Sequence, residues 1–123
     1  PLSRFINRAK KSNIVYICSP NNPTGNQFDK ETMLNIVESL NDKLIIVDEA
    51  YVEFGDYSLS QFVTKYDNLV VLRTMSKAFG LAGARIGYLI SQENLAEIFR
   101  THIQSPYPIN SLSLGVATSA LSS

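Results

Sequence analysis

The sequence predicts an α/β fold in three layers: a mostly parallel sheet with helices on both faces and a last strand that returns antiparallel. Three observations lead there. Four short runs, Ile14 to Ile17, Leu44 to Val47, Leu69 to Leu72 and Ile86 to Ile90, are rich in Ile, Val and Leu with little polar alternation, the pattern of strands buried on both faces. Segments with helical spacing separate the early runs, and crossovers of that kind favour parallel neighbours. The residues that follow the first three runs are unusually polar, as expected where ligands sit beyond the carboxyl ends of parallel strands.

The chain opens on Arg4, Arg8, Lys10 and Lys11 set around Leu2, Phe5, Ile6 and Ala9, which fits a solvated helix face. After the first strand, Met33, Val37 and Leu40 recur at helical spacing, with Asp29 as N-cap and Glu31 in the first turn. The next crossover, Ala50 to Asn68, carries Gly55 and a weaker helical stretch near Ser60 to Tyr66. The stretch from Arg73 to Arg85 is too short for a comparable crossover and is broken at Gly80, Ala82 and Gly83, so the fourth strand is expected to run antiparallel. Glu93 to Ile103 reads as a helix stopped by Pro106 and Pro108, with a second helix starting near Ser111.

A hydrophobic fraction of 45% with 18% charged residues is that of an ordinary globular domain over the 123 residues. Eleven basic residues balance eleven acidic ones, so no net charge points to nucleic acid or an anionic membrane surface. The lone cysteine, Cys18, excludes an internal disulfide and a cysteine-built metal site, and no metal is expected. No apolar stretch approaches the ~20 residues that span a bilayer, and no signal pattern is visible. The expected location is the cytoplasm. The chain starts at Pro1 and stops inside a helix-like pattern at Leu121, and it reads as a fragment.

The polar strand ends are Ser19 to Gly25, Asp48 to Tyr51 and Arg73 to Lys77, and one crevice can collect all three. A pyridine-ring cofactor bearing an aldehyde and a phosphate would find every partner there. Asp48 is a carboxylate for the ring nitrogen, and Lys77 is an amine for the aldehyde, a role that requires burial and nearby positive charge around it. Asn22 and Tyr51 suit the phenolic oxygen, while Thr74, Ser76 and Arg85 offer hydroxyls and a guanidinium to the phosphate. Each residue also has a plainer reading. Asp48 and Glu49 fit a loop cap or the metal-binding pair of a P-loop nucleotidase, Lys77 and Arg85 fit surface charges, and Asn22 fits an Asx-turn before Pro23. Their order along three strand ends favours the joint reading.

These strings resemble a known family, the fold-type I pyridoxal-phosphate enzymes, and within it the histidinol-phosphate aminotransferases. SPNNPTG (Ser19 to Gly25), VDEAYVEF (Val47 to Phe54) and LRTMSKAFGLAGARIGY (Leu72 to Tyr88) look like the asparagine loop, aspartate strand and lysine segment, and SPYPIN (Ser105 to Asn110) resembles the subfamily's proline-rich stretch. The resemblance implies pyridoxal 5'-phosphate as cofactor and Lys77 as its Schiff-base residue and proton carrier. It implies Asp48 on the pyridine nitrogen, Asn22 and Tyr51 on the phenolic oxygen, and Thr74, Ser76 and Arg85 at the phosphate. The implied catalytic set is Lys77, Asp48 and Tyr51. The reaction would convert L-histidinol phosphate and 2-oxoglutarate to imidazole acetol phosphate and L-glutamate in histidine biosynthesis, on amino- and keto-acid substrates, in a homodimer.

Related readings are a threonine-phosphate decarboxylase and an aromatic aminotransferase. Residues 1–123 would then be part of the large cofactor-binding domain, without the N-terminal arm and the C-terminal small domain that carries the substrate-binding arginine, and such a segment alone is expected to be catalytically incompetent. The rival from another class, a nucleotide-binding module with LIIVDEA as a Walker-B-like strand, lacks the G-x-x-x-x-G-K-[ST] loop it needs.

Overall fold

The computed structural model describes residues 2–122. Helix α1 (Leu2–Ala9) leads into β1 (Ile14–Cys18), α2 (Lys30–Ser39) and β2 (Leu44–Asp48). Two single 3-10 turns, Val52–Phe54 and Ser60–Phe62, interrupt the crossover to β3 (Leu69–Thr74), where the sequence shows only a weak helical pattern. A third 3-10 turn, Ala82–Ala84, precedes β4 (Gly87–Ile90). Helix α3 (Glu93–Ile98) continues as a π-helical turn, Phe99–Ile103, and α4 (Ser111–Leu121) closes the described chain.

The sheet order is β1-β2-β3-β4, with the first three strands parallel and β4 antiparallel to β3. This is the expected topology. Side-chain alternation along the strands sends Val15, Ile17, Ile45, Val47, Leu69 and Val71 to one face, where they pack with Ala9 of α1, Met33, Ile36, Val37 and Leu40 around α2, and Leu59 and Val63 of the β2–β3 crossover. Helix α2 begins as its sequence predicts, with Asp29 accepting from Thr32 N at 2.8 Å. At its other end the Asn68 amide donates to the carbonyls of Val37, Leu40 and Lys43 at 3.2, 3.0 and 3.2 Å, fastening the end of the helix to the start of β3.

The second face departs from the expectation of strands buried on both sides. Leu95, Ile98, Phe99 and Ile103 face Ile46, Val70, Leu72 and Leu89 across an apolar cleft of about 370 Å3. Cover thins out toward β1, whose Ile14 and Tyr16 remain 55% and 54% exposed. A smaller cluster forms where α4 lays Ala117 and Ala120 against Met75, Phe79, Leu81 and Ile86, and so supports the loop after β3.

Replacing Asn68 by Ala takes a donor from three carbonyls near the end of α2, of which Leu40 O keeps Lys43 N at 2.9 Å. The urea midpoint should fall by the equivalent of about 2 kcal/mol, and an unchanged midpoint would show that water serves those carbonyls equally well.

Candidate active site

Parallel register is what brings the site together. Cys18 pairs with Asp48 and Asp48 with Leu72, so the loops after β1, β2 and β3 leave the sheet side by side. The first loop is pinned at its root by Ser19 N donating to Asp48 O at 3.0 Å. It then closes on itself, Gly25 N donating to Asn21 O at 2.7 Å and Asn21 N to Asn26 O at 2.9 Å. Gly25 has φ +72°, a left-handed conformation that side-chain-bearing residues rarely adopt. The Ser19-Pro20 and Asn22-Pro23 bonds of this loop are cis. Gln27 and Tyr57 strap it to the loop after β2: Gln27 Nε2 donates to Tyr57 O at 2.8 Å, Asp56 N donates to Gln27 Oε1 at 2.8 Å, and Tyr57 Oη donates to Phe28 O at 2.7 Å.

Four of the residues singled out from the sequence line one crevice of about 190 Å3: Asn22, Asp48, Tyr51 and Lys77, joined by Cys18, Pro20 and Ala50. Asn22 Nδ2 donates to Tyr51 Oη at 3.2 Å, which puts an amide and a phenol on one point. Lys77 Nζ stands 5.1 Å from the centroid of the Tyr51 ring. Asp48 Oδ1 accepts from Ala50 N at 2.9 Å and Oδ2 from Tyr16 Oη at 2.5 Å. The set has the composition that a pyridine-ring cofactor with an aldehyde requires, namely a carboxylate, an amine, and two neighbouring hydrogen-bonding groups.

Thr74, Ser76 and Arg85 lie outside the lining of that crevice. They are carried by the loop that holds Lys77. Thr74 Oγ1 donates to Ile86 O at 3.2 Å and accepts from Ser76 N at 3.1 Å. The loop is closed by Met75 N donating to Ile86 O (3.1 Å), Leu81 N to Met75 O (3.0 Å) and Gly80 N to Lys77 O (2.9 Å). Arg85 is exposed, with φ +55°, and its Nη1 donates to Ala82 O at 3.2 Å. A non-glycine residue held in the left-handed region is strained backbone of the kind that clusters at ligand sites. Lys77 is exposed too, so the burial expected around it is not supplied by the described residues.

Sequence reading missed two groups. Glu49, read as a loop cap or half of a metal-binding pair, is 2% exposed and fully engaged. It accepts from Arg73 Nε and Nη2 at 3.2 and 3.1 Å, from Ser58 Oγ at 2.7 Å and from Leu59 N at 2.6 Å. No cluster of three or more His, Cys, Asp or Glu able to hold a metal occurs among the described residues. In the sequence Tyr16 is only part of a strand, and its bond to Asp48 depends on a neighbour brought to it by strand pairing. Among the described residues no helix is long and apolar enough to cross a membrane.

Residues 2–123 match the family model for aminotransferase class I and II. Over 119 residues the chain is 46% identical to the histidinol-phosphate aminotransferase of Shewanella oneidensis, covering 96% of this chain and 30% of that protein. The corresponding enzyme of Pyrococcus furiosus is 43% identical over 119 residues, 96% of this chain and 34% of its own. The chain thus spans about a third of the length of these relatives. Among solved structures, the histidinol-phosphate aminotransferase from Sinorhizobium meliloti in complex with pyridoxal-5'-phosphate superposes with a TM-score of 0.90 at 29% identity, covering 99% of this chain and 35% of that one. The L-threonine-O-3-phosphate decarboxylase of Porphyromonas gingivalis shares the fold, with a TM-score of 0.83 at 24% identity over 92% of this chain and 35% of that one.

Arg73→Met leaves the Glu49 carboxylate buried without its counter-charge, and a loss of about 3–5 kcal/mol in urea unfolding is expected. Adding Glu49→Gln should restore part of it; an Arg73→Met protein as stable as wild type would show the pair to be dispensable. The Tyr57 phenol is raised from 10.0 to about 12, chiefly because burial disfavours the phenolate. Since the neutral form is the one the fold favours, this contribution is complete below pH about 10 and disappears as pH rises through about 12. Wild-type and Tyr57→Phe urea midpoints measured across that window should converge at the alkaline end, and a constant difference would contradict the assignment.

Proposed function

Because the chain belongs to the class I and II aminotransferase family, we propose that it forms the cofactor-holding part of a pyridoxal-phosphate-dependent aminotransferase acting on L-histidinol phosphate and 2-oxoglutarate. The observation that carries this reading is the convergence of Asn22, Asp48, Tyr51 and Lys77 in one crevice, built from the ends of three adjacent parallel strands. Identity of 42–46% to several histidinol-phosphate aminotransferases favours the substrate, and the fold shared with a threonine-phosphate decarboxylase favours none.

Pyridoxal phosphate, when bound, supplies an aldehyde for an amine and a protonated ring that draws electrons from a reacting carbon. The chain's own residues do the rest. Asp48 holds a proton on the ring nitrogen, and its carboxylate arrives already oriented by one donor on each oxygen. Asn22 Nδ2 and Tyr51 Oη would hold the phenolic oxygen, and the 3.2 Å bond between them keeps the two groups side by side. Lys77 Nζ is the anchoring amine and, when free, the base that carries a proton to and from the substrate carbon. Thr74, Ser76 and Arg85 serve the phosphate from the loop that positions Lys77, which ties the grip on the phosphate to the placement of the amine.

The intact protein incubated with the cofactor should turn yellow, and borohydride should fix a pyridoxyl label on a single peptide containing Lys77. Lys77→Ala should lose that label entirely. A reducible adduct that survives Lys77→Ala would sink the assignment, and release of carbon dioxide without glutamate-dependent amine transfer would move the substrate to the decarboxylase class.

A further inference from the structure

On strand β1, Tyr16 is paired with Ile46 while Cys18 is paired with Asp48. Tyr16 and Asp48 are therefore diagonal neighbours on one face of two adjacent strands, a separation that a long aromatic side chain can span. The phenol covers it and places Oη 2.5 Å from Asp48 Oδ2. The ring itself lies on the thinly covered face, 54% exposed, while its hydroxyl is turned to the carboxylate.

We propose that Tyr16 is a positioning residue for Asp48, its hydroxyl fixing the plane of the carboxylate that faces the cofactor's ring nitrogen. The inference rests on the reading of Asp48 given above. Two donors from different elements, Tyr16 Oη on Oδ2 and Ala50 N on Oδ1, occupy one site on each oxygen. Lone pairs remain for a pyridinium. Phenylalanine would fill the same space without donating, and an Asp48 held by Ala50 alone would be free to rotate about its side-chain bonds. The Tyr16 phenol is also pushed above its ordinary value, first by burial and then by the bond to Asp48, so it remains a donor through neutral and mildly alkaline pH. Hydrogen bonds to a charged group are among the stronger ones in proteins, and losing this one should be felt as an order-of-magnitude effect, roughly tenfold.

The test is a double-mutant cycle on the intact protein with pyridoxal phosphate as the probe: wild type, Tyr16→Phe, Asp48→Asn and the double variant, compared by cofactor dissociation constant. Tyr16→Phe should weaken cofactor binding about tenfold in the wild-type background and less than about twofold when Asp48 is already Asn. In cofactor-free protein, the phenolate absorbance assigned to Tyr16 by subtracting the Tyr16→Phe curve should emerge at lower pH in Asp48→Asn than in wild type. Equal losses in both backgrounds would mean a structural role and overturn the inference, as would wild-type affinity in Tyr16→Phe or a phenolate curve indifferent to Asp48. Wild-type protein that takes up no cofactor overturns the proposed function itself, and is thereby distinct from these outcomes.

Discussion

A carboxylate sealed into a protein interior must be neutralised or it unfolds its surroundings, and here that carboxylate is Glu49. Its four donors come from the end of β3, from Ser58 and from the backbone of Leu59. Arg73 lies one residue before Thr74 and four before Lys77, while Glu49 follows Asp48 directly. The ion pair therefore bolts together the two strand ends that deliver the candidate ring partner and the candidate amine. Ser58 extends the clamp, donating to Glu49 and accepting from Arg73 Nη2 at 2.6 Å, so the loop bearing Tyr51 cannot shift without exposing a charge. Such pairs often add little to net stability relative to a well-packed apolar substitute. Their value here lies in geometry.

Around that clamp, the site is assembled from loops whose freedom has been removed by backbone bonds. The asparagine loop closes on itself and hangs from Asp48 O. The lysine loop behaves as a wide hairpin tip: Thr74 faces Gly87 across the antiparallel pair, Met75 N bonds Ile86 O just beyond, and α4 supports it from outside. Apolar packing below and hydrogen bonding above thus divide the labour. The sheet fixes where each loop begins, and the loop bonds fix where its side chain ends.

Much of this was legible in the sequence because it depends on local pattern. The strands follow from their apolar runs, α2 from Asp29 and the Met33, Val37, Leu40 spacing, and the reversal of β4 from the brevity of the stretch between Arg73 and Arg85. Asn22, Asp48, Tyr51 and Lys77 were legible because parallel strands place consecutive strand ends together. Glu49 was not, since an acid at a strand end looks the same whether it faces water or a buried guanidinium, and only the β2–β3 register brings Arg73 to it. Tyr16 was hidden for the same reason, its partner standing on a neighbouring strand. The openness of β1 was hidden as well: Ile14 and Tyr16 carry the composition of a buried strand, but cover from α3 and the π-helical turn thins out before it reaches them.

The direction of β4 has a consequence for the chemistry. Had the chain continued parallel after β3, a crossover of a dozen or more residues would have carried Lys77 over the face of the sheet on a helix or long loop. An antiparallel return keeps the entire lysine segment within a closed tip at the sheet's edge, with Leu81 N on Met75 O and Gly80 N on Lys77 O folding it back over the strand ends. Gly80, at φ +66°, permits that fold without side-chain strain. Lys77 then reaches Tyr51 of the adjacent loop, and Arg85, strained at φ +55°, stands at the tip's return where the segment re-enters the sheet. Amine and guanidinium are set by one topological choice, which makes the antiparallel strand as much a part of the site as the residues that line it.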